Sequence, residues 1–335
     1  MTTNTQIFLA EKPRGTLEAG HFRIEKGAVP TLEDGQVLVR SVLLSLDAAN
    51  RAWMQGATYK DAVDAGQIMD GYAIGEVIES RSDRFAAGDV VAGDLGWQEY
   101  AAMPAKHLRA VGAHRPLTHH HSLLGIAGLT AYHGLVTLFG VTAGETLLVS
   151  AAGGSVGSLV GQIGKILGAR VVGVAGGPEK CGWVVDELGF DACIDYKGAS
   201  LSKRLRATCP DGVDLYFDNT GGDILQAALF AMNLNGRISC CGAVSQYDVA
   251  KPTGPLGVPG LLVTKRLTMK GFIAMDFPDH DVEAIERLGS WAADGKLKVV
   301  EDVLDGLENA PSGLIGLLAG ENRGKRMVRV GADPS

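Results

Sequence analysis

The sequence predicts an α/β protein in which a doubly wound parallel sheet is inserted into a β-rich unit. Residues 1–122 contain strand-like runs separated by Gly and Asp turns, such as "GQVLVRSVLLSLD", "YAIGEVIES" and "GDVVAGDL". From 123 to 299, strands alternate with helical stretches, which is typical of a parallel sheet covered on both faces. Residues 300–335 add a helix and a strand, "GKRMVRV", that we expect to return to the first unit. We therefore predict two domains, 1–122 with 300–335, and 123–299.

Six runs are the predicted strands of the inserted unit: "TLLVSAA", "ARVVGVAG", "ACIDY", "DLYFDNT", "GRISCCGA" and "LTMKGFIAM". Between the last two lies the segment 244–266, "VSQYDVAKPTGPLGVPGLLVTKR", which is rich in Pro and Gly. Its composition argues against a helix start. A loop of this length in a compact domain is often a lid or a binding loop, and an ordinary surface loop is the alternative.

Composition excludes several classes of partner and location. The net charge of -7 argues against nucleic acid or an anionic membrane as the main partner. The N-terminal run "MTTNTQIFLAEKPRG" shows no signal-peptide pattern, and we read the uncharged stretches 116–144 and 146–164 as core of a large domain. The five cysteines are odd in number and show no C-x-x-C spacing, which indicates a cytoplasmic protein without a disulfide framework.

A glycine turn follows the first strand of the inserted unit. Residues 152–157 read A-G-G-S-V-G, so Ala152 replaces the first glycine of the G-x-G-x-x-G pattern. Alanine is tolerable there if its φ is negative, since Gly154 and Gly157 then supply the close approach to phosphate and the helix–strand contact. The helix that follows carries a line of glycines at 157, 161, 164 and 168, which indicates close packing on the sheet. Between a strand and a helix, this turn predicts a bound dinucleotide; a glycine-rich turn without a ligand is the alternative.

The end of the second strand favours NADPH over NADH. An NAD site carries Asp or Glu about twenty residues after the turn, where it binds the adenine ribose hydroxyls. This chain has Gly176 and Gly177 there, followed by Lys180. A missing carboxylate and a nearby cation suit a 2′-phosphate, although a solvated lysine at a helix start is the plain alternative for Lys180 alone.

Together these motifs resemble one family. The order of units and the A-x-G-x-x-G turn resemble the medium-chain dehydrogenase/reductase superfamily. The runs "VSAAGGSVGSLVGQIGKILGARVVGVAGGPEKC", "ELGFDACIDYK", "DLYFDNTGG", "GRISCCGAVSQY" and "GENRGK" resemble its zinc-independent alkenal/enone reductases, which include prostaglandin, double-bond and curcumin reductases. The likeness runs from about residue 35 to the C-terminus. It implies a Rossmann domain inserted in a β-rich GroES-like catalytic domain, and NADPH-dependent reduction of the C=C bond of α,β-unsaturated ketones or aldehydes.

The residues argue against a metal. A catalytic zinc needs Cys or His ligands in the first domain, and residues 1–122 contain no cysteine. The tripeptide G-Y-A at 71–73 stands where zinc relatives carry G-H-E. His119, His120 and His121 are adjacent and do not share a face of a regular element, so we expect them on a surface loop.

The resemblance implies a set of cofactor-binding residues. The pyrophosphate contacts fall on Gly154, Ser155, Val156 and Gly157, and the 2′-phosphate contacts on Lys180 and Tyr196. The residues implied to line the adenosine or nicotinamide are Thr130, Asn219, Cys241, Gly242, Ala243, Val244, Ser245, Gln246, Tyr247, Phe272, Ile273, Ala274 and Asn322. A strand-edge aromatic (Tyr196), a core residue (Phe272) and a turn former (Asn322) are the plain alternatives.

The proton donor departs from the family pattern. Relatives commonly read D-P-Y-M-R where residues 47–51 are D-A-A-N-R, so Ala49 occupies the position of the family's tyrosine, and Thr264 that of a second one. Asn50 can donate from its amide, and the remaining hydroxyls are Tyr59, Tyr72 and Tyr247, each with a structural role as the alternative. The smaller residues also suggest a wider pocket and a bulkier substrate.

Two other functions stay open, quinone reduction by NADPH and non-catalytic NADPH binding. The last strand of the inserted sheet has an uncovered edge, which predicts a homodimer.

Overall fold

The computed structural model describes residues 3–334. Its strands are β1 Thr3–Leu9, β2 Phe22–Ala28, β3 Gln36–Ser45, β4 Ala73–Ser80, β5 Val90–Gly93, β6 Tyr100–Pro104, β7 Arg109–Ala110, β8 Thr146–Ser150, β9 Arg170–Ala175, β10 Ala192–Asp195, β11 Val213–Asp218, β12 Met232–Cys240, β13 Thr268–Gly271, β14 Glu301–Asp305 and β15 Lys325–Arg329. Its α-helices are α1 Ala48–Gln55, α2 Ile126–Tyr132, α3 Ser155–Ile166, α4 Pro178–Leu188, α5 Leu201–Thr208, α6 Gly222–Ala231, α7 Val258–Lys265, α8 Asp281–Ala293 and α9 Ala310–Leu318. In the part of the chain described, no helix has the length and apolar content required to cross a membrane.

The predicted parallel sheet is present, with all six of its predicted strands. The strand order is β10-β9-β8-β11-β12-β13, and every neighbouring pair is parallel. This order reverses direction between β8 and β11, which creates the crevice where doubly wound sheets bind ligands. Each residue of β8 is buried, as expected for a central strand covered on both faces.

A second sheet combines strands from the beginning and the end of the chain. Six of its seven strands run in the order β14-β15-β3-β4-β5-β7. The seventh strand, β6, pairs with residues 36–40 of β3, whereas β15 pairs with residues 43–45. Met327 of β15 lies opposite Ser45 in an antiparallel register, so the last strand returns to the first unit as the sequence predicts. The parallel neighbour β14 was not expected, because three of its five residues are acidic and such residues are rare in strands. The exact domain boundaries stay a prediction.

Two local predictions are wrong. The Pro- and Gly-rich segment was not expected to begin a helix, but it contains α7. Gly257, in the left-handed conformation (φ 71°), precedes this helix. Pro259 lies in its first turn, where proline costs no hydrogen bond. His121 is not on the surface: it is 1% exposed, and its Nε2 lies 3.1 Å from the carbonyl oxygen of Leu43. Burial, with the charge of Lys325 second, lowers the pKa of His121 to about 4, so the ring is neutral at pH 7.

The glycines of α3 bring this helix onto the sheet. A Cβ at Gly161 would lie 1.8 Å from Cζ of Phe190, and one at Gly164 would lie 2.5 Å from Cδ2 of Leu147. Gly168 lies beyond the helix end with φ 86°, so it terminates α3 instead of packing inside it.

We expect Gly161→Ala to lower the free energy of unfolding by about 1–3 kcal/mol, because the added methyl overlaps the Phe190 ring. Gly182→Ala in α4 is the matched control, since its Cβ would lie 3.9 Å from Oδ2 of Asp186, and helix propensity should stabilise it by up to about 1 kcal/mol. Urea unfolding of both variants measures the difference. Equal stability of the two variants would contradict the packing argument.

Candidate active site

The glycine turn connects β8 to α3 at the crevice of the parallel sheet. Ala152 does not have a positive φ, which meets the condition for alanine at this position; the left-handed residue is Ala151, with φ 49°. The methyl group of Ala152 is accommodated because β9 carries Gly173 opposite it, where a Cβ would lie 2.8 Å from the Ala152 Cβ. The missing glycine of the turn is therefore compensated by a glycine in the neighbouring strand.

The start of α3 fits an anionic ligand. A Cβ at Gly157 would lie 2.3 Å from the carbonyl oxygen of Ala151, so only glycine allows this close contact between helix and turn. The first N–H groups of α3, from Ser155 and Val156 onward, have no partner within the helix. Within residues 3–334, the Ser155 Oγ is buried and makes no hydrogen bond. These donors, together with the positive end of the helix dipole, suit a pyrophosphate.

The C-terminal segment closes over the turn. The Gly324 N–H donates to the carbonyl of Gly153 at 2.9 Å, and the Asn322 Nδ2 donates to the Gly324 carbonyl at 2.8 Å. The Lys180 Nζ donates to the carbonyls of Gly320 and Asn322, at 2.5 and 2.7 Å. The structure thus brings Lys180 and Asn322, which are far apart in sequence, to the same glycine turn.

Lys180, Lys197 and Arg323 lie near the end of β9, together with Asp195, whose Oδ1 accepts from the Gly177 and Lys197 N–H groups at 2.7 and 3.0 Å. A Cβ at Gly176 would lie 3.1 Å from Cε of Lys197 and 3.3 Å from Oη of Tyr196, so both side chains lie over the position of the missing carboxylate. Burial lowers the pKa of Lys180, and positive charges that include Arg323 and Lys197 lower it further. This concentration of positive charge is favourable for a phosphate group.

Asp218 organises the next loop, at the end of β11. Its Oδ1 accepts from the Tyr216 hydroxyl at 2.7 Å and from the N–H groups of Thr220 and Gly221, at 3.0 and 2.9 Å. Asn219 is held between them, with its Nδ2 donating to the Ser150 carbonyl at 2.7 Å. Asp218 is 2% exposed, so these donors provide the polar contacts that a buried carboxylate requires.

The segment Cys241–Tyr247 follows β12 beside this loop. The N–H groups of its first two residues donate to the Asp218 carbonyl at 2.8 and 3.2 Å. The Tyr247 ring folds back, and its Oη accepts from the Ala243 N–H at 3.1 Å. The Tyr247 hydroxyl therefore lies against the backbone of its own segment, and that segment packs beside the Asp218 loop.

Phe272 lies in the core. Its ring covers Gly134, where a Cβ would lie 2.2 Å from the ring Cζ, and it lies edge-on to Phe217 with a centroid distance of 6.0 Å. Ala274 is buried, and Ile273 and Thr130 are half-buried. The Phe272 side chain is therefore a core residue, which was the alternative to a cofactor contact. Any contact of this segment with a ligand would have to come from its backbone atoms.

Tyr59 lies in the loop that follows α1, and its ring is edge-on to Trp53 of that helix with a centroid distance of 6.3 Å. Partial burial raises the pKa of Tyr59 to about 12, although 55% of the side chain is exposed, and the charge of Asp47 adds to the rise. The Tyr59 hydroxyl keeps its proton at neutral pH and can act as a donor.

The other two candidates have structural partners. The Asn50 Oδ1 accepts from the Asp47 N–H at 2.8 Å, and its Nδ2 donates to the Asp70 carbonyl at 3.1 Å. Asn50 is 1% exposed, so it caps α1, and we do not retain it as a proton donor. The Tyr72 hydroxyl accepts from Nε of Arg109 at 2.5 Å, and its ring lies edge-on to His121. These contacts favour the structural alternative for Tyr72.

Comparisons with known proteins agree with this geometry. A model described as the N-terminal domain of oxidoreductase matches residues 5–111, and one described as zinc-binding dehydrogenase matches residues 155–290. The NADPH-dependent curcumin reductase of Escherichia coli (strain K12) is 42% identical, over 98% of each chain. The chain belongs to the zinc-independent medium-chain dehydrogenase/reductase family.

Two further members of this family are similar over nearly their full length. Prostaglandin reductase 1 of Bos taurus is 38% identical, over 92% of this chain and 93% of its own. The crystal structure of CurA in complex with NADPH from Vibrio vulnificus superposes with a TM-score of 0.93 at 38% identity, covering 98% of this chain and 100% of that one. Despite the description of the second family model, residues 3–334 contain no group of three or more His, Cys, Asp and Glu side chains that could hold a metal ion.

Three charged residues that lie beside the predicted site residues were not predicted from the sequence. Lys197 and Arg323 adjoin the predicted Tyr196 and Asn322, and their charges were the available signal. Arg323 stacks on the Trp183 ring at 5.3 Å from its centroid. Asp218 could have been found as an acidic residue inside the buried run "DLYFDNT".

Proposed function

We propose that this chain reduces the C=C bond of α,β-unsaturated ketones and aldehydes with NADPH. The observation that carries the proposal is the glycine turn at the start of α3, which has the buried Ser155 hydroxyl and the Lys180 side chain beside it. The relatives named as curcumin, 2-alkenal and prostaglandin reductases support the substrate class.

In the proposed reaction, one group of residues binds the cofactor and another donates a proton. The turn at 154–157 would hold the pyrophosphate, and Lys180 with Tyr196 the 2′-phosphate. When bound, NADPH supplies the hydride that reduces the β-carbon of the substrate. The α-carbon then needs a proton and the substrate oxygen needs a hydrogen-bond donor. Tyr59, protonated at neutral pH, and Tyr247, whose Oη accepts from the Ala243 N–H, are the candidates for these two roles.

Turnover is the direct test. We expect the purified protein to oxidise NADPH, followed at 340 nm, in the presence of an enone, and to reduce a bulky diaryl enone at least as fast as a small linear enal, because Ala49 replaces the family's tyrosine. A quinone serves as the comparison substrate. Faster turnover of quinones than of all enones would favour quinone reduction, and tight NADPH binding without any turnover would favour a non-catalytic role. Much faster reduction of small enals would contradict the wide pocket.

We also propose that Lys180 selects the 2′-phosphate. The Nζ donates to two backbone carbonyls and has a third proton available for an anion. A charge-assisted hydrogen bond contributes about 1.5–3 kcal/mol, so Lys180→Met should raise the KM for NADPH about 10- to 100-fold.

The KM for NADH, which lacks the 2′-phosphate, should not change in the Lys180→Met variant. The exposed Lys106, in the first domain, provides the control as Lys106→Met, with both KM values unchanged. Equal losses for the two cofactors in Lys180→Met would show that the side chain acts elsewhere.

We propose in addition a homodimer in the cytoplasm. The edge strand β13 leaves one side without a neighbour in the described chain, and no residue of the adjacent α7 is buried. Apolar side chains next to this edge are exposed, including Leu256 at 81% and Val263 at 75%. An edge bordered by apolar surface is favourable for pairing with a second copy. The five free cysteines support a reducing compartment.

We expect the protein to have the mass of a dimer by light scattering at micromolar concentration, and Val263→Asp to shift it toward the monomer. Val282→Asp, at a side chain of 69% exposure on α8, is the control and should leave the mass unchanged. A monomer for the unmodified chain, or a dimer unaffected by Val263→Asp, would exclude this interface.

A further inference from the structure

One fully buried cation lies between three segments of the chain. The Arg51 side chain, on α1, is 0% exposed. Its Nε donates to Oδ1 of Asp248 at 2.9 Å, and its Nη2 donates to the Gly15 carbonyl at 2.7 Å. Across residues 3–334, its Nη1 makes no hydrogen bond, and Asp248 is the one carboxylate within ion-pair distance. The buried guanidinium therefore depends on Asp248 for charge compensation.

Asp248 is the residue immediately after Tyr247. Its Oδ1 accepts a second hydrogen bond, from the Leu17 N–H at 2.8 Å, and the Tyr247 carbonyl accepts from Nε2 of Gln55 at 2.6 Å. Residues 247 and 248 are thus bound by Leu17 of the N-terminal segment and by Arg51 and Gln55, which lie one helical turn apart on α1. These contacts come from the first part of the chain, whereas the Cys241–Tyr247 segment extends from the parallel sheet.

After Asp248, few hydrogen bonds hold residues 249–257; they include those from the Thr253 and Leu256 N–H groups to Gln246 and Gln226. Residues 249–257 form no helix or strand, and Leu256 is 81% exposed. Upstream, the segment is held at the loop after β11, where the carbonyls of Asp218, Asn219 and Thr220 accept from its N–H groups. The backbone of Tyr247 is consequently anchored to the parallel sheet on one side and to Arg51 of α1 on the other.

We propose that Arg51 and Asp248 are a positioning pair that fixes the backbone of Tyr247 and thereby the position of its hydroxyl. The pair acts through Tyr247 and does not contact the reacting atoms. This inference rests on the proposed reductase function for its kinetic consequence, but the anchoring of the segment is independent of it. A displacement of a reacting group by about 1 Å can cost on the order of 100-fold in rate, so a contact outside the crevice can control kcat.

The test uses Asp248→Ala and Asp248→Asn, because Asp248 is partly exposed, whereas replacement of the buried Arg51 endangers folding. Asp248→Ala should lower kcat for enone reduction about 10- to 100-fold with little change in the KM for NADPH. Asp248→Asn keeps an oxygen acceptor for Arg51 and Leu17, so its loss should be intermediate. The control is Glu76→Gln, which breaks the Arg40–Glu76 pair (2.6 Å) in the other sheet and should leave kcat unchanged.

A double-mutant cycle separates positioning from a general structural role. If the pair acts through the Tyr247 hydroxyl, Asp248→Ala should lower kcat less than about twofold in a Tyr247→Phe background. An equal factor in both backgrounds would overturn the proposal, because a loss of folded enzyme affects both alike.

Amide hydrogen exchange reports on the same pair without catalysis. Exchange in the segment 241–248 should be at least about tenfold faster in Asp248→Ala than in the unmodified protein and in Glu76→Gln. Unchanged exchange there would overturn the positioning role. If the unmodified protein reduced no enone, the proposed function would fail, and this measurement would still decide whether Arg51 and Asp248 hold the segment.

Discussion

The return of residues 320–325 to the glycine turn is the contact on which the site depends. The Gly324 N–H donates to the Gly153 carbonyl, and the next residue, Lys325, extends to the start of α1, where its Nζ lies 2.5 Å from Oδ1 of Asp47. One short stretch of chain therefore connects the phosphate-binding turn to the cap of α1. Glycine is required at 324, since its φ is 68° and a Cβ would lie 2.1 Å from the Val300 carbonyl oxygen.

The Lys325–Asp47 pair is buried on the lysine side, which is 1% exposed. Burial by itself would raise the pKa of Asp47, but the charge and hydrogen bond of Lys325, with help from Ser45, more than offset it, and the pKa is lowered. Removing one partner of such a pair typically costs about 3–5 kcal/mol, because the other charge remains buried. Arg51 with Asp248 repeats this arrangement one helical turn further along α1. Two buried cations thus hold the same short helix from two directions.

The two sheets contribute different residues to the candidate active site. The parallel sheet brings the glycine turn, the Asp218 loop and the Cys241–Tyr247 segment to one edge, because parallel strands all end on the same side. The other sheet supplies α1 and Tyr59. The proposed reaction requires both, since the proposed phosphate-binding residues come from the first sheet and one of the two candidate proton donors comes from the second.

The sequence by itself determined the strands of the parallel sheet, the glycine turn and the absence of a carboxylate at Gly176, because periodicity and turn composition are local properties. The predicted site roles of Lys180, Tyr196 and Tyr247, of which the last two follow from the family resemblance, stay predictions. Only the tertiary structure decided that Asn50 caps a helix, that His121 is buried and neutral, and that Gly173 makes room for Ala152. The same holds for the ion pairs of Arg51 and Lys325, whose partners lie 197 and 278 residues away. No local sequence pattern contains such contacts, because they form only when segments that are distant in the chain pack together. Each of these two buried cations then lies beside a carboxylate from another segment.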